Sequence, residues 1–236
     1  TRAFSQRAPG KTVFFSRLSP DAGDVFFADG RISVRNGDCV RPVLSADEIA
    51  IPGVHNIENY MAAVAAGDGL VSDEVIREVA ASFSGVEHRI ELVREVHGVK
   101  YYNDSIASSP TRTIAGLRSF RQKVILIAGG KDKNIDYAPL GPEIVQHVRF
   151  LILTGGDVIG STVPKICAAV LNAPEYDSVA LPILLIDDFE EAVRAAAAQA
   201  SEGDVVLLSP ASTSFDKFSN FMERGKTFKA VVNHLE

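Results

Sequence analysis

The sequence predicts an α/β protein in two parts: a β-rich unit ending in helices over residues 1–80, and an α/β domain with a mostly parallel sheet over residues 81–236. Three observations carry that prediction. Asp29-Gly30 and Asn36-Gly37 stand between short alternating apolar stretches, the signature of tight hairpins. Four brief apolar runs in the second part are separated by helix-length segments, the pattern of strands buried on both faces of a parallel sheet. Three of those runs, and a strand candidate before them, lead into polar loops, and open α/β sheets bind ligands at the carboxyl ends of their strands.

In chain order, TVFFS (12–16), DVFFA (24–28), RISV (31–34) and CVRPVL (39–44) read as strands. HNIENYMAAVAA (55–66) turns helical, Gly67-Asp68-Gly69 breaks it, and Ser72 caps a second helix, SDEVIREVAASF. RIELVREV (89–96) and VKYYN (99–103) form a pair turning at His97-Gly98. A helix follows at about 110–120, with Ser109 as its cap and Pro110 at its first position. KVILIA (123–128), RFLILT (149–154), PILLI (182–186) and DVVLLS (204–209) are the buried strands.

With 236 residues, 46% of them apolar, the chain has enough material for a large core. A net charge of −6 without a basic run excludes a nucleic-acid footprint, and no apolar run approaches the roughly 20 residues of a membrane span. Cys39 and Cys167 give neither a disulfide framework nor a cysteine zinc site, which points to a reducing cytoplasm. The chain opens on Thr1 in a polar stretch that is no signal peptide, so a piece of something longer is expected. APGKT imitates the end of a phosphate-binding loop, but that motif needs glycine where Ser5 stands, and there is no G-x-G-x-x-G.

The polar loops are NDS (103–105) with its continuation to Ser108, GGKDKNID (129–136), TGGD (154–157) and SPASTSFDKF (209–218). Parallel strands point one way, so these loops share one sheet edge, and Asn103, Asp104, Ser105 and Ser108 exceed what a strand-to-helix connection needs. Each candidate also has a plain structural reading. Ser214 fits an N-cap of the next helix, Lys133 a solvated turn, Asp104 an ordinary turn acid, and His88 a structural histidine. His55 and Asn59 share a helix face and, with Asn56, fit surface polarity.

Taken in order, HNIENYMAAVAA, EHRIELV, YYNDSIASSPTRT, LIAGGKDKNIDYAPL and LLSPASTSFDKFSNFMERGKTF resemble the second half of the ATP-dependent Mur ligases, most closely the members that add D-glutamate. The resemblance implies that residues 1–80 are the tail of a central ATP-binding domain and 81–236 a complete, Rossmann-like C-terminal domain. The N-terminal and remaining central portions of the same chain would then be its first partners. It implies ATP and Mg2+ as cofactors, with the magnesium ligands mainly in the preceding part. His55, Asn56 and Asn59 would lie on the adenine side, His88 and Arg89 nearby, and Asp104 towards the ribose. Ser108, Lys133, Ser214, Phe215 and Phe221 match positions that hold D-glutamate, the other substrate being UDP-N-acetylmuramoyl-L-alanine. One departure is Ile106, where many relatives carry lysine, so no role of that lysine carries over. A folylpolyglutamate synthase-like ligase and a non-catalytic nucleotide-binding module are the alternatives; NDSIASSP speaks against the former, whose relatives carry a histidine-containing loop there.

Overall fold

The computed structural model describes residues 5–51, 53–83, 85–155 and 160–236. They divide into two compact units, up to residue 84 and from Gly85 on. Gly156 and Asp157 of the predicted TGGD loop lie outside the described residues.

The first unit is a four-stranded sheet of β1 (Phe15–Ser16), β2 (Val25–Ala28), β3 (Arg31–Asn36) and β4 (Cys39–Ser45), in that order. β2, β3 and β4 pair antiparallel, whereas β1 runs parallel to β2. Both hairpins form, with one shift. Asn36 pairs with Cys39, so the second turn is centred on Gly37 and Asp38 rather than on Asn36 and Gly37, and Gly37 takes the positive φ of 63°. The expected strand over 12–16 shrinks to its last two residues, because Phe14 engages Asp24 instead of a ladder: its N–H donates to Asp24 Oδ2 (2.8 Å) and its carbonyl accepts from the backbone of Asp24 and Val25. In β4 the register slips beside Pro42, which has no N–H to give. Helices α1 (Val54–Gly67) and α2 (Asp73–Ser82) complete the unit, with Met61, Val64 and Ala80 joining Val25, Ile32 and Leu44 in its core. Ser72 caps α2 as expected.

The second unit is a six-stranded sheet whose strands are β5 (Glu91–Val96), β6 (Val99–Asn103), β7 (Val124–Ala128), β8 (Val148–Leu153), β9 (Ile183–Leu185) and β10 (Val205–Leu208). Their order across the sheet is β5-β6-β10-β7-β8-β9, all parallel except β5. The β5–β6 hairpin turns at His97 and Gly98, both at positive φ (48° and 75°). Among the described residues five helices cover the sheet: α3 (Pro110–Leu117), α4 (Leu140–His147), α5 (Val163–Leu171), α6 (Phe189–Ala198) and α7 (Phe221–Asn233). The apolar runs divide by side-chain parity. Leu126 of β7 and Leu207 of β10 enter a core with Leu117, Leu140, Ile144 and Ile166; Ile125, Ile127 and Val206 enter the opposite core with Phe189, Val193 and Phe228. Burial on both faces explains why these strands read as continuous apolar runs. Among the described residues no helix is long and apolar enough to cross a membrane.

Candidate functional site

The sheet brings the predicted loops together. β6, β7, β8 and β10 run the same way, so residues 104–109, 129–139 and 209–220 leave from one edge. Gly129 and Gly130, at φ 117° and 137°, let the loop after β7 pass close to its neighbours; a side chain at Gly130 would overlap Thr213 O and come 2.8 Å from Ser212 Oγ. Lys131 and Thr213 exchange backbone bonds of 3.0 and 3.2 Å, fixing the loop after β7 to the loop after β10. On the other side, Lys133 Nζ donates to Ser108 Oγ (3.3 Å). Lys133 is exposed and Ser108 half-buried, so an ammonium and a hydroxyl from two loops stand at the surface side by side.

Much of the polar capacity of residues 103–105 turns inward, which corrects the reading of that stretch as surplus for a ligand. Asn103 is fully buried; its Oδ1 accepts from Ser105 N (3.1 Å), and its Nδ2 reaches Glu91 Oε2 (3.1 Å) and His88 Nδ1 (2.9 Å). With the amide oriented by Ser105, Nδ1 of His88 is the acceptor and its proton sits on Nε2. The His88 ring is buried, edge-on to Phe221 at 5.9 Å between centroids. Ser105 donates from Oγ to Phe221 O (2.7 Å).

Asp104 is only 4% exposed and accepts from Ser209 Oγ (2.8 Å), so it is no surface turn acid. Burial pushes its carboxyl up to about 7, against the hydrogen bond from Ser209 and the Ile90 N–H. Of the remaining candidates, Ser214 is buried but caps no helix. It opens a turn in which its carbonyl accepts from Lys217 N and Phe218 N, while Asn220 caps α7 by accepting from Glu223 N (3.0 Å). Phe215 is 61% exposed, beside the edge, and Arg89 is exposed too. Ser109 stands at the N-cap position of α3, yet its hydroxyl faces Thr111 Oγ1 (3.2 Å) instead of a backbone N–H. In the first unit, Asn56 is buried and accepts from Asn59 Nδ2 (3.1 Å), with His55 half-buried and Asn59 exposed on the same helix.

Glu87, His88 and Glu91 form the one cluster of potential magnesium ligands among the described residues. It does not fit. Lys229 Nζ holds Glu91 Oε1 (2.5 Å) and Glu87 Oε1 (3.1 Å), Asn103 faces His88 Nδ1, and magnesium favours an octahedron of oxygens.

One residue escaped the sequence reading. Arg224, on α7, is 2% exposed and reaches into the same loops. The signal was the neighbouring Gly225: glycine inside a helix is unfavourable unless something packs against it, and here a Cβ would collide with His88 Nδ1 and come 2.8 Å from its Cε1.

A family model described as "Mur ligase, glutamate ligase domain" matches residues 88–212, more than half of the chain. The chain belongs to the Mur ligase family. This Mur ligase chain is 52% identical, over 238 aligned positions, to the UDP-N-acetylmuramoylalanine--D-glutamate ligase of Acetivibrio thermocellus, and 49% identical to that of Ruminiclostridium cellulolyticum. Each match takes in the whole chain and 50% of the relative, so the chain spans about half the length of the curated relatives it matches. Among solved structures it resembles UDP-N-acetylmuramate-alanine ligase MurC of Thermotoga maritima (TM-score 0.64, 15% identity, 94% of this chain and 48% of that one). It also resembles E. coli FolC in complex with ADP (TM-score 0.56, 16% identity, 89% and 46%). At such identities the likeness is one of fold. The α/β class and the Mur ligase resemblance read from the motifs are both borne out.

Proposed function

We propose that this chain is the C-terminal half of a cytoplasmic ATP-dependent amide ligase that joins D-glutamate to UDP-N-acetylmuramoyl-L-alanine in peptidoglycan precursor synthesis. Residues 1–80 would be the tail of its central domain and residues 81–236 its C-terminal domain. The observation that carries the reading is the meeting of Lys133 with Ser108 on the carboxyl edge of the sheet, in a chain about half identical to D-glutamate ligases over its whole length. A dicarboxylate entering a closing site needs a cation and oriented donors, and this edge supplies them.

In this reading ATP phosphorylates the carboxylate of UDP-N-acetylmuramoyl-L-alanine. The amine of D-glutamate attacks the acyl phosphate, the C–O bond to phosphate breaks, and the amide forms with loss of inorganic phosphate and a proton. The part played by this chain is to hold and orient. Lys133 pairs with a carboxylate of D-glutamate, Ser108 and Ser214 donate hydroxyls, and Phe215 and Phe221 wall the pocket. His55, Asn56 and Asn59 would face the adenine side of ATP. A ribose contact at Asp104 would add to the bond from Ser209, which engages only one of its two carboxylate oxygens. Magnesium ligands are assigned to the rest of the protein.

The test is phosphate release from ATP. The intact ligase should release phosphate only when both D-glutamate and UDP-N-acetylmuramoyl-L-alanine are present, while residues 1–236 alone should be folded and inactive. Equal turnover with L-glutamate or glycine, or ligase activity of the isolated chain, would overturn the reading.

A further inference from the structure

We infer that Arg224 is the positioning residue of the amino-acid pocket, its buried guanidinium setting the spacing of the loops that carry Ser108 and Ser214. The inference rests on the proposed ligase reading only for the identity of the amino acid.

The geometry is that of a three-way tie. Arg224 Nε donates to Ser105 Oγ (3.1 Å), and Nη2 donates both to Ser105 O (2.9 Å) and to Ser212 O (3.1 Å). Ser105 lies three residues before Ser108, and Ser212 two before Ser214. The third nitrogen, Nη1, is buried without a hydrogen-bond partner among the described residues; a Cβ on Gly130 would stand 3.3 Å from it. Gly130 opens the loop that carries Lys133. One planar cation thus bonds the loops after β6 and β10, and its idle nitrogen lies beside Gly130 at the start of the loop after β7.

A buried arginine with an idle N–H is a poor stabilising device, since the charge loses its water without full compensation. That loss lowers its pKa to about 10. A planar fork is what the arrangement requires, because three acceptors on two loops must be met in fixed directions; a lysine ammonium cannot meet them.

Steady-state kinetics of the intact ligase test this with Arg224→Lys and Ser105→Ala, each amino-acid and ATP concentration varied in turn. Arg224→Lys should raise the KM for D-glutamate about tenfold or more while the KM for ATP stays within about twofold. Ser105→Ala removes one acceptor and leaves the cation in place, and should move the same KM by about three- to tenfold. If Arg224→Lys fails to fold, Ser105→Ala decides. A merely structural arginine would lower the amount of active enzyme with both KM values unchanged, or raise both together, and either result overturns the inference. Should the wild-type enzyme refuse D-glutamate, the substrate assignment falls; the same selective rise is then expected, and its absence damaging, for the amino acid the wild type does accept.

Discussion

Lys133 Nζ stands 3.3 Å from Ser108 Oγ, linking the loop after β7 to the loop after β6 across 25 positions of sequence. At an exposed site such a bond does little for stability, so its interest lies in the cation it holds at the sheet edge.

Lys133→Ala in the intact ligase should therefore raise the KM for D-glutamate and leave that for ATP nearly unchanged. Losing a charge-assisted partner costs about 1.5 to 3 kcal/mol, roughly a tenfold to hundredfold loss of affinity. The melting temperature should not move. Unaltered D-glutamate kinetics would return Lys133 to the solvent.

Asp104 predicts a pH dependence. Its carboxyl is pushed up from the ordinary 3.8 to about 7 in the folded chain, so between those values the folded state keeps a proton that the unfolded state releases. Stability must fall as pH rises through that window, by at most about 1.4 kcal/mol per pH unit, and level off above it. Asp104→Asn, which cannot ionise, should lack this slope. Urea unfolding of both proteins from pH 4.5 to 7.5 checks it; parallel stability curves would show that Asp104 titrates normally.

Gly225→Ala is a test of sign. On an unobstructed helix the change would stabilise by up to about 1 kcal/mol. Here the methyl meets the His88 ring, and the overpacking should destabilise by about 1 to 3 kcal/mol. A variant that melts higher than the wild type would mean that the ring yields freely.

The proton on His88 should reside on Nε2, because Asn103 presents an N–H to Nδ1. Nitrogen-15 NMR of the imidazole distinguishes the two tautomers. Finding the Nδ1–H form would require the Asn103 amide to be reversed and its bond from Ser105 N to be lost.

The strands were legible because β7 and β10 are apolar on both faces, and the hairpins because glycine marks positive φ. Residues 103–105 misled for a physical reason. A polar side chain looks the same whether its partner is a ligand or another part of the protein, and the partners of Asn103 and Ser105 come from His88, Phe221 and Arg224, up to 119 residues away. Ser214 looked like a cap because the next helix begins nearby; the turn after it delays α7 until Asn220 takes that place. Lys133 and Ser108 could be paired in advance only as loops on one edge, since their contact depends on the parallel packing of β6, β10 and β7.

β10 lies between β6 and β7, although it is the last strand of the described residues to be made. As the ribosome delivers this chain, β6 and β7 emerge with the place between them vacant, and neither can complete its ladder until residues 205–208 are free. More than 75 residues of helix and strand must wait in a partly ordered state with apolar edges unsatisfied, a window in which chaperones or aggregation compete for them. A ribosome stalled anywhere before Val205 would hold two half-sheets with no middle, and the three-loop edge with its arginine tie would form only once α7 has emerged.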